Sequence, residues 1–411
     1  MSGPLEDVRI LDLTRLLPGG VATALLADLG ASVVKIEQPG LGDYMRWSEP
    51  LLGPESAASW VTDRNKRSVA LDLKQPGGVA ALKRLAERAD ALIESFRPGV
   101  VDRLGVGYDD LRAVNPRLVY CSLTGYGQDG PLAAVAGHDL NYIGRAGVLG
   151  ITGEPDGPPT IPGVQVADIG AGAMLSALGV VAAIVRARAS GAGDHVDVSM
   201  TDGAFAILSV HLGAYFATGE PPERGRMPLS GRDPCYNVYR CADGRYVTVG
   251  ALEPKFWEAL CTAVERPELV PTQFEPEALA TWRELFATRP RDEWLRVLEP
   301  FDACVGPVND LAEACADPQL RHRGMVVELE HPVLGPTPQV GTPIKLRNAP
   351  AGVRTPAPRL GEHTRSELAA AGLSAAEIDA LVASGAAAEA EPWSSAQSEP
   401  RDRPDGRAAA S

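Results

Sequence analysis

Between Val8 and Gly125 the chain alternates short apolar β-rich runs with stretches of helical character, and this rhythm constrains the fold more than any other feature of the sequence. VRILDL at 8–13 leads through a glycine-containing loop to a helix over 21–29, and SVVKIE follows at 32–37, which makes a βαβ unit. The pattern continues with SVALDL at 68–73, a helix near 76–88, ALIES at 91–95, a helix near 108–114 and LVYCSLTG at 118–125. Near-continuous apolar strands separated by helices predict an α/β fold, a doubly wound and mainly parallel sheet covered on both faces. Ligands of such sheets sit outside the carboxyl ends of the strands.

Later segments suggest a second unit. Two helices are expected over 168–188 and 201–218, and GEPPERGRMPLSGRDP at 219–234 reads as a linker. The string YNVYRCADGRYVTVGAL then predicts a hairpin turning at Asp243-Gly244, which opens a smaller α/β unit. The organisation expected is 1–218 as the first part of a large domain, 219–335 as linker and small domain, 336–387 as a return, and 388–411 as a disordered tail.

The chain carries 39 basic and 53 acidic residues in 411, a net charge of −14, so its summed field disfavours nucleic acid and anionic lipid. Its longest apolar runs, near 174–185 and 204–216, fall short of the roughly 20 residues of a membrane span. No nucleic-acid or membrane partner is expected. The six cysteines show no paired spacing, which argues for reduced thiols and against a zinc site. The N-terminus has no export pattern, and a cytoplasmic location is expected. Neither GxGxxG after the first strand nor a P-loop string occurs, so nicotinamide and ATP chemistry have no motif behind them.

Two side chains stand out as chemistry-bearing. His138 lies in AVAGHDLNYIGRAGVLGITG, behind Gly137 and ahead of glycines at 144, 147, 150 and 153, in a segment shaped around something. His195, His211, His322, His331 and His363 read as structural or solvated. Asp168 lies in GVQVADIGAGAMLSALG, where it is either a plain helix N-cap or a carboxylate facing a ligand. Gly170 and Gly172 weaken the capping account, because each costs helix stability and leaves room for a ligand at the helix start. A carboxylate there is equipped to act as nucleophile or base, with backbone amides stabilising an oxyanion. A basic cluster of Arg64, Lys66, Arg67 and Lys74, extended by Arg97 and Arg103, fits a phosphorylated small molecule, with solvated strand-end charges as the alternative.

The strings LDLTRLLPGG, NKRSVALDLK, FRPGVVDRLG, LTGYGQDGP, AGHDLNYI, HVDVSMTDGAFA, YRCADGRYVTVGALEPKFW and CVGPVNDLAEACADPQLRHRGM resemble those of the family III CoA-transferases. Within them the similarity is to the α-methylacyl-CoA racemases, from about residue 3 to 370. The resemblance implies a large Rossmann-like domain completed by the C-terminal segment, a small α/β domain, and an interlocked homodimer. It also implies an acyl-CoA substrate with no metal and no redox cofactor.

In the racemases two bases invert the carbon next to the thioester through an enolate, and the matching residues are His138 and Asp168. A single group cannot serve both faces of that carbon. The resemblance assigns Glu253 to support the histidine; Asp139 is a further candidate in that neighbourhood, and the turn from Asp168 through Gly170 and Gly172 is placed to present backbone amides to the enolate oxygen. Family positions for CoA fall on Leu71, Asp72, Leu73 and Lys74, on Ser95, Phe96 and Arg97, on Arg103, and on Gly137, Leu140, Asn141 and Tyr142. The alternative within the family is a CoA-transferase in which Asp168 is the nucleophile. Gln38, where racemases carry arginine, and the Gly42, Asp43, Arg46 string are closer to the transferase pattern.

Overall fold

The apolar runs form one sheet in the computed structural model, which describes residues 3–52 and 55–391. Its strands are β1 (Arg9–Leu13), β2 (Ser32–Glu37), β3 (Lys66–Leu71), β4 (Ala91–Glu94), β5 (Val119–Thr124), β6 (His195–Ser199) and β7 (Ala387–Ala388). Their spatial order is β7-β3-β2-β1-β4-β5-β6, and every neighbouring pair is parallel except β7 with β3. The chain winds outward from β1 through β2 to β3, then restarts on the other side of β1 with β4. The switch point therefore lies between β1 and β4.

Two details differ from the sequence reading. Strand β3 starts at Lys66 rather than 68, because the Lys66 ammonium is buried against Asp12 and Asp63, each at 3.1 Å, so a charged residue sits inside the sheet. The expected tail from 388 also begins too early. Ala387 and Ala388 pair with Leu71 and Ala70 and satisfy the open edge of β3, and Glu389 pairs with Arg365 at 2.7 Å. Residues 392–411 of that tail lie outside the described residues.

The chain folds into two compact units. The first takes the described parts of 1–146, 164–207 and 322–411, and the second takes 147–163 and 208–321. The expected boundary at 218 moves because the helix over 201–218 is broken at Leu208, giving Met200–Ile207 to the first unit and Ser209–Thr218 to the second. The return begins at 322 rather than 336, since the hairpin Val326–His331 with Gly335–Val340 is anchored to the first unit. There the Trp60 indole donates to the Pro338 carbonyl, and the Gln339 amide donates to the Trp60 carbonyl.

The core of the first unit joins Leu11, Val34, Leu92 and Tyr120 of the sheet to Leu82, Leu85 and Leu368 of the covering helices. Beside it lies a buried ionic cluster in which Lys35 meets Asp43 at 2.9 Å and Lys66 meets Asp12 and Asp63. Burial alone raises the Asp12 pKa, but the two ammonium groups outweigh it and hold the carboxyl well below its usual range. The helix Met174–Ser190 faces the sheet with Ser176, Val180, Ile184 and Ala187. Because the preceding turn, Val166–Ala173, is also helical, the combined run of 25 residues is long and apolar enough to cross a membrane by length and composition.

The second unit is built on an antiparallel sheet ordered Val305–Pro307, Tyr246–Gly250, Tyr236–Arg240, with the turn at Asp243-Gly244 that the sequence predicts. Gly244 takes φ of 81°, a left-handed conformation that glycine adopts without strain. Trp257, Trp282, Phe286 and Trp294 fill its core.

Candidate functional site

The candidate site grows out of the segment beyond β5. Gly125 and Gly137 flank the ring of Tyr142 so closely that an added Cβ would lie 2.4 and 2.6 Å from its Cε1 atom, so both positions exclude any larger residue. The Tyr142 hydroxyl donates to the Gly137 carbonyl, and the ring meets Tyr126 edge-on at 5.1 Å. Next comes His138, immediately before the helix Asp139–Ala146. Its backbone N–H donates to Asn141 Oδ1 at 3.0 Å, and its carbonyl accepts from the amides of Asn141 and Tyr142. Asn141, assigned above to CoA, thus uses its Oδ1 atom to fix the His138 backbone, and Tyr142 uses its hydroxyl on Gly137. The imidazole itself is exposed within this chain, as is Leu140.

Asp168 is the third residue of the π-helical turn Val166–Ala173, with Gln165 at its N-cap, so it is not the capping residue. The cap is supplied from a distance. Asp139 Oδ1 accepts from the backbone amides of Ala167 at 2.7 Å and Asp168 at 2.9 Å. Asp139 therefore holds the Asp168 turn, a different task from the one near the histidine expected above. It also occupies the Asp168 amide, the first of the turn expected to serve an oxyanion, while the Ile169 amide donates to the Gln165 carbonyl.

Burial, and then the Asp139 charge, push the Asp168 carboxyl up to about 6, against the pull of His138. The backbone of His138 and the turn of Asp168 are tied together by Asp139, which follows the one and grips the other. The two glycines of the turn differ. A Cβ on Gly170 would meet nothing nearer than Ile207 Cδ1 at 4.0 Å, whereas one on Gly172 would lie 2.7 Å from Met200 Cγ. Gly170 opens space beside Asp168; Gly172 is a packing residue.

The basic cluster divides sharply. Arg64 is buried and forks onto Asp28 at 2.7 and 3.2 Å, Lys66 belongs to the ionic cluster, and Arg67 is held by Glu367 and Ser366. These three are structural, because each is matched to an acid within the first unit. Lys74, Arg97 and Arg103 are exposed and carry no ion pair among the described residues. Arg97 is close enough to Tyr142 for its charge to act on the phenol. Leu71 lies in the core and Leu73 packs against it, while the Asp72 carboxylate accepts from the Lys74 amide and the Gln75 side chain. Ser95 and Phe96 follow β4 at the switch point, where Ser95 Oγ accepts from the Arg15 amide at 2.9 Å.

A family model described as CoA-transferase family III matches residues 5–364. The chain belongs to CoA-transferase family III. The human succinyl-CoA:glutarate CoA-transferase is 35% identical over 373 residues, covering 88% of this chain and 84% of the relative. Human α-methylacyl-CoA racemase is 35% identical over 388 residues, 91% of this chain and 95% of the relative. A crystal structure of a CAIB/BAIF family protein from Brucella suis superposes with a TM-score of 0.81 at 30% identity, covering 90% of this chain and all of that one. Both kinds of enzyme name thus occur among relatives of this family III chain.

Glu253 stands in the second unit, just before the helix Pro254–Ala263. There its carbonyl accepts from the amides of Phe256 and Trp257, and its side chain makes no capping bond. Two residues of this family III protein escaped the sequence reading. Arg15 is the one charged side chain in the loop after β1, a position the switch-point rule singles out once strand order is known. Glu94, at the end of β4, accepts from the Phe96 amide at 2.7 Å, and burial pushes its carboxyl up to about 7 despite hydrogen bonds from Ser122 and Phe96. No spacing rule marks it; a carboxylate ending an otherwise apolar strand was the available signal.

Proposed function

We propose that the protein is an isomerase that inverts the α carbon of 2-methyl-branched acyl-CoA thioesters, with His138 and Asp168 as its two bases. The observation that carries this reading is geometric: Asp139, the residue after His138, grips the backbone of the turn that carries the half-buried Asp168 carboxyl. With its pKa near 6, Asp168 is mostly ionised at neutral pH yet basic enough to take a proton. The carboxylate removes the α proton, the C–H electron pair moves into the thioester carbonyl to give an enolate, and the His138 imidazolium returns a proton to the opposite face. The reverse direction exchanges the two roles. The open face at Gly170 gives the thioester room beside Asp168. The reading takes a homodimer as the working assembly and needs no metal or redox group.

The test is incubation of a single enantiomer of a 2-methylacyl-CoA in deuterated water. Deuterium at the α carbon with loss of chirality is expected, and both should vanish in His138→Ala and Asp168→Asn. Binding without isotope exchange would sink the proposal.

A second reading is favoured by the relatives named as CoA-transferases. In it the Asp168 carboxylate attacks the thioester carbonyl, the C–S bond breaks, CoA leaves as thiolate, and a mixed anhydride remains on Asp168. This reading expects hydroxylamine to trap Asp168, CoA to pass to a second acid, and His138→Ala to keep most activity.

A further inference from the structure

We propose that Arg15 binds a phosphate group of the coenzyme A moiety. The inference rests on the acyl-CoA reading above and adds to it a residue outside the basic positions the resemblance supplied. Arg15 follows β1 and Ser95 follows β4, the two strands that flank the switch point of the sheet, where an open α/β sheet receives its ligand. The Arg15 amide donates to Ser95 Oγ at 2.9 Å, so the two lips of this crevice are joined at the residue itself.

The guanidinium is half-buried and lies 4.9 Å from the Phe96 ring centroid and 6.0 Å from that of Tyr44. Aromatic faces engage the π surface of a guanidinium and leave its N–H edge free for a planar or tetrahedral anion. Elsewhere in this unit Arg9, Arg46, Arg64 and Arg67 each hold a carboxylate, whereas Arg15 has no ion pair among the described residues. The loop is also fixed. Leu16 takes φ of 63°, a conformation costly for leucine, and its amide donates at 3.0 Å to Asp43, which is buried and paired with Lys35. An unpaired cation is thus held in place before any ligand arrives.

Coenzyme A offers two sources of the same chemistry, the 3′-phosphate and the diphosphate.

Calorimetric titration of the full chain with CoA, with 3′-dephospho-CoA and, by competition, with pantetheine separates them. Arg15→Gln is expected to weaken CoA roughly tenfold to a hundredfold, the usual weight of a charge-assisted contact to phosphate, and to leave pantetheine unchanged. A deficit that persists with dephospho-CoA assigns the diphosphate; one that disappears assigns the 3′-phosphate. Arg15→Lys, which keeps the charge but loses the fork, should fall between, and it carries the test if the glutamine variant melts early. Wild-type affinity for CoA in both variants, or an equal loss for pantetheine, overturns the inference. Failure of the wild type to bind CoA overturns the acyl-CoA reading instead.

Discussion

The carboxylate of Asp139 accepts a 2.9 Å hydrogen bond from the backbone amide of Asp168, a residue 29 positions later in the chain. The same Oδ1 atom binds the amide of Ala167, so one side chain on the helix that follows His138 fixes the turn that carries the second candidate base. Position and charge are coupled here. The anion that anchors the turn also makes it harder for Asp168 to ionise.

Replacing Asp139 by asparagine keeps an acceptor for the two amides and removes the charge. Because the Asp168 pKa is raised, its base form appears only as pH climbs through about 6. The rising limb of kcat/KM in the direction that uses Asp168 as base should lie near that pH in the wild type and move to lower pH in Asp139→Asn. A pH–rate profile of both proteins measures the shift, and Asp139→Ala should also lose rate across the whole profile.

Glu94→Gln should stabilise the protein above neutrality. The folded carboxyl titrates near 7 and the unfolded one near 4.5, so the native state holds its proton longer and stability falls as pH rises between those values. The amide oxygen of glutamine can still accept from Phe96. The gain, on the order of 2–3 kcal/mol above pH 7 and shrinking to nothing below pH 4.5, is readable from urea melts at several pH values.

Lys66→Met should be severely destabilising. It leaves the Asp12 and Asp63 carboxylates short of a buried cation at 3.1 Å each, and removing one partner of a buried ionic group costs about 3–5 kcal/mol. Chemical denaturation at pH 7 checks this. Lys74→Met, also from the basic cluster, should leave the midpoint unchanged.

Two glycine substitutions should separate packing from ligand space. Gly137→Ala drives a methyl group into the Tyr142 ring and should lower both stability and activity. Gly170→Ala places its methyl in open space, so the melting temperature should hold or rise slightly while turnover falls. Thermal melts alongside initial rates distinguish the two.

The strands β1, β2, β4 and β5 were legible because an apolar run bounded by turn residues reflects burial on both faces, and burial of a strand is written into its own few residues. The hairpin at Asp243-Gly244 was legible for the same local reason. His195–Ser199 is absent from the strands predicted above and joins the sheet as β6, since an edge strand whose first residue is exposed declares itself only through its neighbour β5. At the site, His138 and Asp168 stood out by residue type and glycine context, but the anchoring by Asp139 did not, and neither did the difference between Gly170 and Gly172.

The sequence by itself determined the parallel α/β sheet, the family and the two side chains most equipped for chemistry, because periodicity and motif spacing act over a few residues. Only the tertiary structure decided that Lys66 is locked among carboxylates while Lys74 has no ion pair among the described residues, that Asp139 grips the turn of Asp168, and that Arg15, also without an ion pair among them, stands between Phe96 and Tyr44. Charge pairing and desolvation act through space, over a few ångströms, between residues that are neighbours in the fold and strangers in the chain.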